Sequence, residues 1–404
     1  MEELELSVMM LDVDPTDDLR PLLDRFEAQH KCRVRVSALP WATGWTELVK
    51  TALYGSGPDV SEIGTTWCAS FVAMNALRPF APHEVASWGG ASVFLPSSWQ
   101  AGILPGDNQR WAVPWLADLR LIYYRRDLLE QAGVDEQTAF ASHPQLLQTL
   151  QRLQANGVAV PWVMATTLQP TFHNLATWVW AAGGDFITAD GKRTLLNQPE
   201  TRAGMRAYFE LGQFLARAVQ DLSIVQSQDL FWQGQTAAAL SWPVRHLRNL
   251  QQLADPRVAA NLGAALTPGV TWIGGTDLIV WQHVSRFSRT REALVMDLVR
   301  FLTSQSFQSA YGQRTNYLPV RHDVLDAPPF GTDPIYRTMV QGLRTGRTFP
   351  SIAAWGLVED KIVPTLERIW RDVLTDSSQD LDAIIAKHIE PLTQRLDTAL
   401  AQMR

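Results

Sequence analysis

The sequence predicts an α/β protein of two domains, each a mostly parallel sheet flanked by helices. Strand-like and helix-like segments alternate from the N-terminus, and that order is typical of parallel sheets. At 404 residues the chain exceeds one comfortable core and suits two domains of roughly 150–200 residues. No Gly/Ser-rich or Pro-rich linker separates the halves. We therefore expect several short strands to cross between the domains, an arrangement that closes about a hinge.

The alternation is clearest in the first third of the chain. Leu4–Met10 and Arg33–Val36 have the pattern of strands, and Val60–Gly64 follows a Gly/Pro turn as a third strand. Between the first two, apolar side chains within Leu19–Phe26 recur at i, i+3, i+4 and i+7, which is one face of a helix. A helix is predicted after each of the three strands.

The rest of the chain repeats this theme. Predicted strands are Val158–Ala165, Ala237–Trp242 and Gly263–Leu266. Predicted helices are His143–Asn156, Leu175–Ala182, Pro199–Val219 and Arg291–Thr303. From about Asp333 onward the pattern is helical throughout.

Bulk composition excludes several classes of protein. The formal charge is 35 − 41 = −6, without a basic cluster, which argues against a nucleic-acid partner. No run approaches the roughly 20 apolar residues of a membrane helix. Two cysteines, Cys32 and Cys68, are too few for a disulfide framework, and we expect two separately buried thiols. The N-terminal MEELELSVMML shows no export signal.

Tryptophan is unusually abundant, with 16 residues against 7 tyrosines. An indole offers a large flat face and one N–H donor, a surface on which the C–H face of a sugar ring can pack. Six tryptophans fall at strand ends or in loops, where α/β sheets place ligands. For each of them burial in a core is the alternative. The six are Trp41, Trp67, Trp115, Trp242, Trp272 and Trp355.

A smaller set of polar and glycine residues could complete a sugar site. These residues are Asp12, Asp14, Asp118, His173, Asn174, Arg245, Gly274 and Gly275. A carboxylate would accept sugar hydroxyls through charge-assisted bonds, and the Gly pair would let a ligand approach the backbone. Structural roles stay open: helix capping for Asp12 and Asp14, a cap or hinge ion pair for Asp118, a surface ion pair for Arg245 and a bulge for the glycines.

Known catalytic signatures are missing from the sequence. There is no G-x-S-x-G, and His83-Glu84 lacks the second histidine of a zinc motif because position 87 is Ser87. Gly191-Lys192 would need a glycine where Phe186 stands to form a phosphate loop. We therefore predict no catalytic residue, no metal site and no cofactor. Paired carboxylates of a glycosidase are spatial and invisible in sequence, so that alternative stays open.

Four segments in order resemble the sugar-binding solute receptors of ABC transporters, the family that includes maltose-binding protein. PDVSEIGTTWCASFVAMNALRPF at Pro58–Phe80 resembles the family's P-D-V strand and following helix. AVPWLADLRLIYYRRDLLEQAGV at Ala112–Val134 resembles its crossing strand and Y-Y-x-x-D-L-L helix. Phe231–His246 is similar to its F-x-x-G-x-A-A-M strand, and Trp272–Val320 to its G-G strand and the helix after it. Each motif is loose alone, but their shared order is specific.

The resemblance implies a two-lobed periplasmic-binding-protein fold of type II-like topology. Residues 1–116 and 271–322 would form the N-terminal lobe, and 117–270 and 323–404 the C-terminal lobe with its helical tail. Crossings would lie near 115–120, 268–272 and 320–330, with ligand in a cleft between the lobes. The family's ligand contacts correspond to Asp14, Trp41, Trp67, Asp118, His173, Asn174, Trp242, Arg245, Gly274, Gly275 and Trp355.

The resemblance also implies a function. We expect a solute-binding receptor that captures a carbohydrate, a di- or oligosaccharide, and delivers it to ABC permease subunits. It would be a monomer, periplasmic or extracellular and associated with the membrane, as lipoprotein receptors are. Trp67 stands where maltose-type receptors carry a carboxylate, so a maltose ligand is unsupported. The alternatives are a glycoside-active enzyme and a receptor for a phosphorylated polyol or a polyamine.

Overall fold

The computed structural model describes residues 2–11, 14–216, 221–243, 250, 252–375 and 380–403. Asp12 and Arg245, two of the predicted binding residues, lie outside the described residues. The strands are β1 Glu3–Met10, β2 Arg33–Pro40, β3 Val60–Gly64, β4 Val113–Leu119, β5 Leu121–Arg125, β6 Trp162–Val163, β7 Ala238–Ser241, β8 Leu262–Leu266, β9 Ile273–Val280 and β10 Leu318–Pro319.

The helices follow in chain order, the last two being the longest. They are α1 Thr16–His30, α2 Trp41–Tyr54, α3 Cys68–Ala73, α4 Pro82–Ser87, α5 Pro96–Ala101, α6 Arg126–Gln131, α7 His143–Ala155, α8 Leu168–Ala181, α9 Pro199–Glu210, α10 Ile224–Trp232, α11 Pro256–Ala260, α12 Arg289–Leu302, α13 Gln305–Thr315, α14 His322–Leu325, α15 Pro334–Thr345, α16 Trp355–Thr375 and α17 Leu381–Gln402. Single 3₁₀ turns lie at Ala91–Val93, Leu211–Phe214 and Gln282–Arg286.

The chain divides into two compact units, each assembled from three separate segments. Unit 1 comprises Met1–Asp118, Gly274–Val340 and Thr348–Ala353, and unit 2 comprises Leu119–Ile273, Gln341–Arg347 and Ala354–Arg404. The first two changes of unit therefore fall after Asp118 and after Ile273. The third differs from the expectation, because residues 323–340 belong to unit 1. There the Phe330 ring lies against Gly312 of α13, where a Cβ would come within 3.0 Å of it.

Unit 1 is built on a six-stranded sheet in the order β10-β4-β9-β3-β1-β2. β1 runs parallel to both β2 and β3, whereas β3 pairs antiparallel with β9 and β4 antiparallel with β10. The sheet is therefore mixed, and the expectation of a mostly parallel sheet needs correction. The two antiparallel pairs each include a strand from a later part of the chain, β9 beside β3 and β10 beside β4.

Local sequence explains the first β-α-β step of unit 1. Leu4, Leu6 and Val8 of β1 are buried, and their alternate spacing puts them on one face of the strand. The predicted apolar face of α1 within Leu19–Phe26 is buried as expected. Asp17 and Asp18 lie in the first turn of α1, where the helix dipole favours negative charge.

Unit 2 has a smaller four-stranded sheet in the order β6-β7-β5-β8. β6 pairs parallel with β7, while β5 pairs antiparallel with both β7 and β8. The strand predicted at Val158–Ala165 is only Trp162–Val163, which pairs with Ala238 and Ala239 of β7. This sheet is also mixed rather than mostly parallel.

Helices α8, α9, α16 and α17 pack together in unit 2. A Cβ at Gly204 of α9 would lie 2.4 Å from the Cα of Val179 in α8, so a glycine lets these two helix backbones approach closely. The helix predicted at Pro199–Val219 ends at Glu210 and continues as the 3₁₀ turn Leu211–Phe214.

Two predictions about the whole chain can be checked directly. Cys32 and Cys68 are both free and buried, as expected. None of the helices in the described part of the chain is long and apolar enough to cross a bilayer.

Candidate functional site

The strand ends of unit 1 collect several predicted residues at one sheet edge. β1, β2 and β3 are mutually parallel, so their carboxyl ends lie at the same edge. Asp14 follows β1, Trp41 follows β2 directly, and Trp67 comes three residues after β3. This geometry brings together side chains that are more than fifty residues apart in sequence.

Three tryptophans at this edge form what we call the indole patch: Trp41, Trp45 and Trp67. The ring of Trp67 meets Trp41 edge-on at 5.4 Å between centroids and Trp45 edge-on at 5.3 Å. All three are half-buried rather than enclosed. A Cβ at Gly64 would lie in ordinary van der Waals contact with both Trp41 and Trp67, at 3.5 Å from each, so the end of β3 packs beside both rings.

The Gly pair of β9 lies beside the end of β3. The backbone N–H of Thr65 donates to the carbonyl of Gly275 at 3.3 Å. Gly275 has a φ of 140°, and a Cβ there would lie 2.1 Å from the carbonyl oxygen of Leu116. Gly275 is therefore required by close packing against the backbone of Leu116; Gly274 is buried in the same strand.

The two predicted carboxylates of unit 1 differ in exposure. Asp14 is exposed, and its side chain accepts a hydrogen bond from the backbone N–H of Thr16 at 2.9 Å, which gives it a capping role at the start of α1. Asp118, the last residue of the first segment of unit 1, is 9% exposed. Both stay candidates for ligand binding.

Trp115 lies in the core of unit 1. Its ring is fully buried and stacks on Tyr311 at 5.6 Å and on Phe307 at 6.5 Å between centroids. Aromatic pairs of this kind stabilise a core. The structure thus assigns the Trp115 ring to packing, the alternative left open by the sequence.

Unit 1 also buries two carboxylic acids on adjacent strands. Glu62 of β3 accepts a hydrogen bond from the backbone N–H of Met9 at 2.6 Å, and burial raises its pKa to about 7. Asp277 of β9 is fully buried. Burial raises the pKa of Asp277 to about 7 against the opposing charge of Arg110. No described residue donates a hydrogen bond to either of its carboxyl oxygens.

Unit 2 carries a second group, which we call the arginine cluster: Arg120, His173, Asn174 and Trp272. Arg120 Nε donates to Asn174 Oδ1 at 3.0 Å, and its Nη2 lies 3.2 Å from His173 Nδ1. The guanidinium carbon also lies 4.7 Å from the centroid of the Trp272 ring, within cation–π range. Arg120 thus fixes the orientation of three predicted binding residues.

His173 is a neutral ring held between charges. Because an arginine can only donate, Nδ1 of His173 accepts and the ring proton lies on Nε2, 3.8 Å from the carboxylate of Glu359. Burial lowers the pKa of His173 to about 4, and the Arg120 charge adds to this while Glu359 opposes it. The imidazole is therefore uncharged at neutral pH.

Trp272 and Trp355 are more enclosed than the sequence suggested. The His173 ring covers the Trp272 ring, stacked at 4.1 Å between centroids, so that face is closed to a sugar. Trp355 is fully buried, stacked on Phe172 at 5.7 Å and edge-on to Phe186 at 6.3 Å. The structure places the Trp355 ring in the core of unit 2.

Trp242 is the most accessible predicted tryptophan of unit 2. It follows β7 and is half-buried, and the Arg120 guanidinium lies 5.6 Å from its ring centroid. Its Nε1 donor has no hydrogen-bond partner among the described residues. A ligand hydroxyl near the ring would satisfy that donor.

Sequence reasoning missed Trp45, Arg120 and Glu359. Trp45 lies one helical turn after Trp41 in α2, so its position four residues on was a usable signal. Arg120 follows Asp118 in a strand-like run and gave no signal, because its partners are more than fifty residues away. The described residues contain no cluster of metal-ligating side chains.

Comparison with known families gives one match that spans most of the chain. Residues 22–338 match the model of a family described as bacterial extracellular solute-binding protein. The diacetylchitobiose binding protein DasA of Streptomyces coelicolor is 21% identical over 373 residues, which cover 88% of this chain and 82% of that protein. A Deinococcus radiodurans protein named as a probable ABC transporter-binding protein is 26% identical over 54% of each chain.

Solved structures share the fold over the full chain. The sugar-binding protein MalE from Xanthomonas citri superposes with a TM-score of 0.83 at 21% identity, covering 100% of this chain and 98% of that one. Maltose-bound MalE3 of T. maritima gives a TM-score of 0.79 at 20% identity, covering 98% and 100%. At such identities the similarity establishes the architecture, which is the two-lobed α/β fold expected from the sequence.

Proposed function

Because the chain belongs to the bacterial extracellular solute-binding proteins, we propose that it is the carbohydrate receptor of an ABC importer. The family works outside the cytoplasm, in the periplasm or at the cell exterior. A receptor of this class binds its solute reversibly and releases it unchanged. Beyond family membership, we propose three things: that the ligand is a carbohydrate, that the partner is an ABC importer, and that the protein does not convert its ligand chemically.

The observation that carries the proposal is the indole patch of unit 1. Three half-buried tryptophans meet edge to face at 5.3 and 5.4 Å, beside carboxyl strand ends where α/β proteins bind ligands. Contiguous aromatic surface that stays partly open to water marks ligand-binding grooves and interaction sites. The C–H face of a sugar ring is a suitable partner, since it is apolar while its rim of hydroxyls stays hydrated.

Unit 2 carries polar groups of its own, the arginine cluster and Trp242. Arg120 is 3% exposed and held by Asn174 and His173, so its guanidinium is rigid before ligand arrives. Preorganised donors lose little entropy on binding. The Nε1 donor of Trp242 is buried and has no partner among the described residues, so it adds one more polar group in unit 2.

We propose a di- or oligosaccharide as the ligand, and no chemical conversion of it. Several separated aromatic faces favour more than one sugar ring. The names of relatives support this size, because one is called a diacetylchitobiose binding protein and one neighbour was solved with maltose bound. Each name describes that relative's own ligand.

Isothermal titration with diacetylchitobiose, chitotriose, maltose and maltotriose tests the proposal. At least one sugar should bind in the micromolar range, about −8 kcal/mol, and Trp41→Ala and Trp67→Ala should each weaken it at least tenfold. Trp111→Ala is the matched control, because Trp111 is a half-buried indole of unit 1 outside the patch whose Nε1 bonds Asp107 at 2.7 Å. Equal losses in all three variants would reject the role of the patch.

The absence of catalysis and the transporter partner need their own measurements. Incubation of the bound oligosaccharide with the protein should release no new reducing ends; release would make the chain a glycosidase. Deletion of the gene should abolish uptake of the same labelled sugar by the cells, and the wild-type gene should restore it. Normal uptake in the deletion strain would contradict a role in import.

A further inference from the structure

A second candidate site lies in unit 2 between the two longest helices, α16 and α17. An open surface groove of about 320 Å³ lies between these helices, at the lower end of the size range of small-molecule pockets. We call it the tail groove. Its lining residues are Leu357, Lys361, Pro364, Thr365, Arg368, Leu392, Arg395, Leu396 and Ala399.

The spacing of these residues makes one continuous stripe on each helix. On α16 the lining residues Leu357, Lys361, Pro364 and Arg368 lie at i, i+4, i+7 and i+11, which spans about 16 Å along the helix axis. Those of α17 recur at i, i+3, i+4 and i+7 from Leu392. At 3.6 residues per turn, the stripe on α16 lies about half a turn from Trp355 and Glu359. The tail groove is therefore separate from the arginine cluster.

The lining combines an apolar floor with a basic rim. Leu392, Leu396 and Thr365 are buried beneath it, whereas Lys361, Arg368 and Arg395 are exposed along its edges. Lys361 approaches Asp360 at 3.7 Å, and Asp360 is 78% exposed. Among the described residues, Arg368 and Arg395 form no ion pair, and Arg368 donates only to Thr365 Oγ1 at 2.8 Å.

We propose that the tail groove binds an anionic amphiphile, a single acyl chain with a carboxylate or phosphate headgroup. The chain would lie along the partly exposed apolar surface of Leu357, Pro364 and Ala399, and the headgroup would pair with Arg368 and Arg395. Guanidinium groups bind planar carboxylates and phosphates through two hydrogen bonds at once. The protein has a net charge of −6, whereas the described lining of the groove has three cationic side chains and no anionic one. This local positive charge favours binding of an anion.

Dodecanoate below its micelle concentration is the probe, titrated calorimetrically into the wild-type protein. We expect saturable binding that Arg368→Glu/Arg395→Glu weakens at least tenfold. Ala399→Trp, which fills the groove without changing its charge, should weaken it similarly. Arg371→Glu reverses an exposed charge on α16 outside the lining and should change affinity less than twofold. Circular dichroism checks that each variant is folded.

Two further ligands separate the contributions of chain and headgroup. Dodecyltrimethylammonium carries the same chain with the opposite charge and acetate carries the charge without the chain, so each should bind at least tenfold more weakly than dodecanoate. Equal binding of the cationic and anionic amphiphiles, or dodecanoate binding unchanged in the double variant, would overturn the proposal. So would the absence of any binding.

A vesicle co-sedimentation assay shows whether the natural ligand is a free fatty acid or a membrane lipid. Co-sedimentation with phosphatidylglycerol vesicles, but not phosphatidylcholine vesicles, that is lost in the double variant would identify a lipid headgroup as the source. Dodecanoate binding without vesicle binding would identify a free acid. Because no variant here touches the indole patch or the arginine cluster, sugar affinity should be unchanged throughout.

Discussion

The buried carboxyl of Asp277 makes the stability of the protein depend on pH in an unusual direction. Asp277 lies on β9 with 0% exposure, and its oxygens receive no hydrogen bond from the described residues. Burial raises its pKa from 3.8 to about 7, while the nearby Arg110 charge partly offsets this. Between these two values the folded chain holds a proton that the unfolded chain has released. The contribution of Asp277 to the free energy of unfolding is therefore fully present below pH 3.8, its pKa in the unfolded chain, and is lost as the pH rises through about 7, its pKa in the folded chain.

The size of the effect follows from the shift. At about 1.4 kcal/mol per unit, the difference between 3.8 and about 7 corresponds to roughly 4 kcal/mol. Of this, about 3 kcal/mol is lost between pH 5 and pH 8. Asp277→Asn keeps the shape of the side chain and cannot ionise. We therefore expect the variant to gain about 3 kcal/mol relative to wild type on going from pH 5 to pH 8.

Urea unfolding of both proteins at pH 5 and pH 8 measures this change. Comparing the variant with wild type at each pH cancels the contribution of Glu62, whose pKa is also raised to about 7 and which both proteins retain. Asp17→Asn is the control, because it makes the same change at an exposed carboxylate of unit 1. The reasoning fails if the stability difference between Asp277→Asn and wild type is the same at both pH values.

Other positions give further predictions. Because the Trp355 ring is fully buried against Phe172, Trp355→Ala should cost about 3–5 kcal/mol of stability in urea; unchanged stability would place the ring outside the core. Gly275→Ala puts a Cβ 2.1 Å from a carbonyl oxygen at φ 140° and should cost about 2 kcal/mol more than Gly157→Ala, which meets nothing within 4 Å at φ 88°; equal losses would contradict the packing. Burial raises the pKa of the Cys68 thiol far above its ordinary value, so iodoacetamide should label it in urea and not in the native protein. The pKa of His173 is about 4, so its ring should stay neutral from pH 6 to pH 8, and NMR signals of the His173 ring that titrate within that range would contradict this.

Much of the fold could be predicted because local patterns determine it. The alternating apolar residues of β1 and the helical spacing in α1 depend on neighbours within a few positions, and the structure has both elements where expected. The positions of Trp41 and Trp67 after strand ends were also predicted. Three parallel strands put their ends at one edge, whatever the rest of the chain does.

Features that depend on distant partners could not be predicted. Whether an indole is open or enclosed depends on what packs over it, and the rings that cover Trp115 and Trp355 come from residues far away in sequence. Arg120 looked like an ordinary charge in a strand until His173 and Asn174 were placed beside it. The mixed direction of the sheets likewise depends on strands such as β9 that return from a later part of the chain.

Calorimetric titration of Trp67→Ala beside wild type, over a panel of neutral oligosaccharides, tests the central claim most directly. The account predicts micromolar heat of binding for at least one sugar and a loss of at least tenfold in the variant. A panel that produces no heat with the folded wild-type protein, while spermidine or a sugar-alcohol phosphate binds, would contradict it.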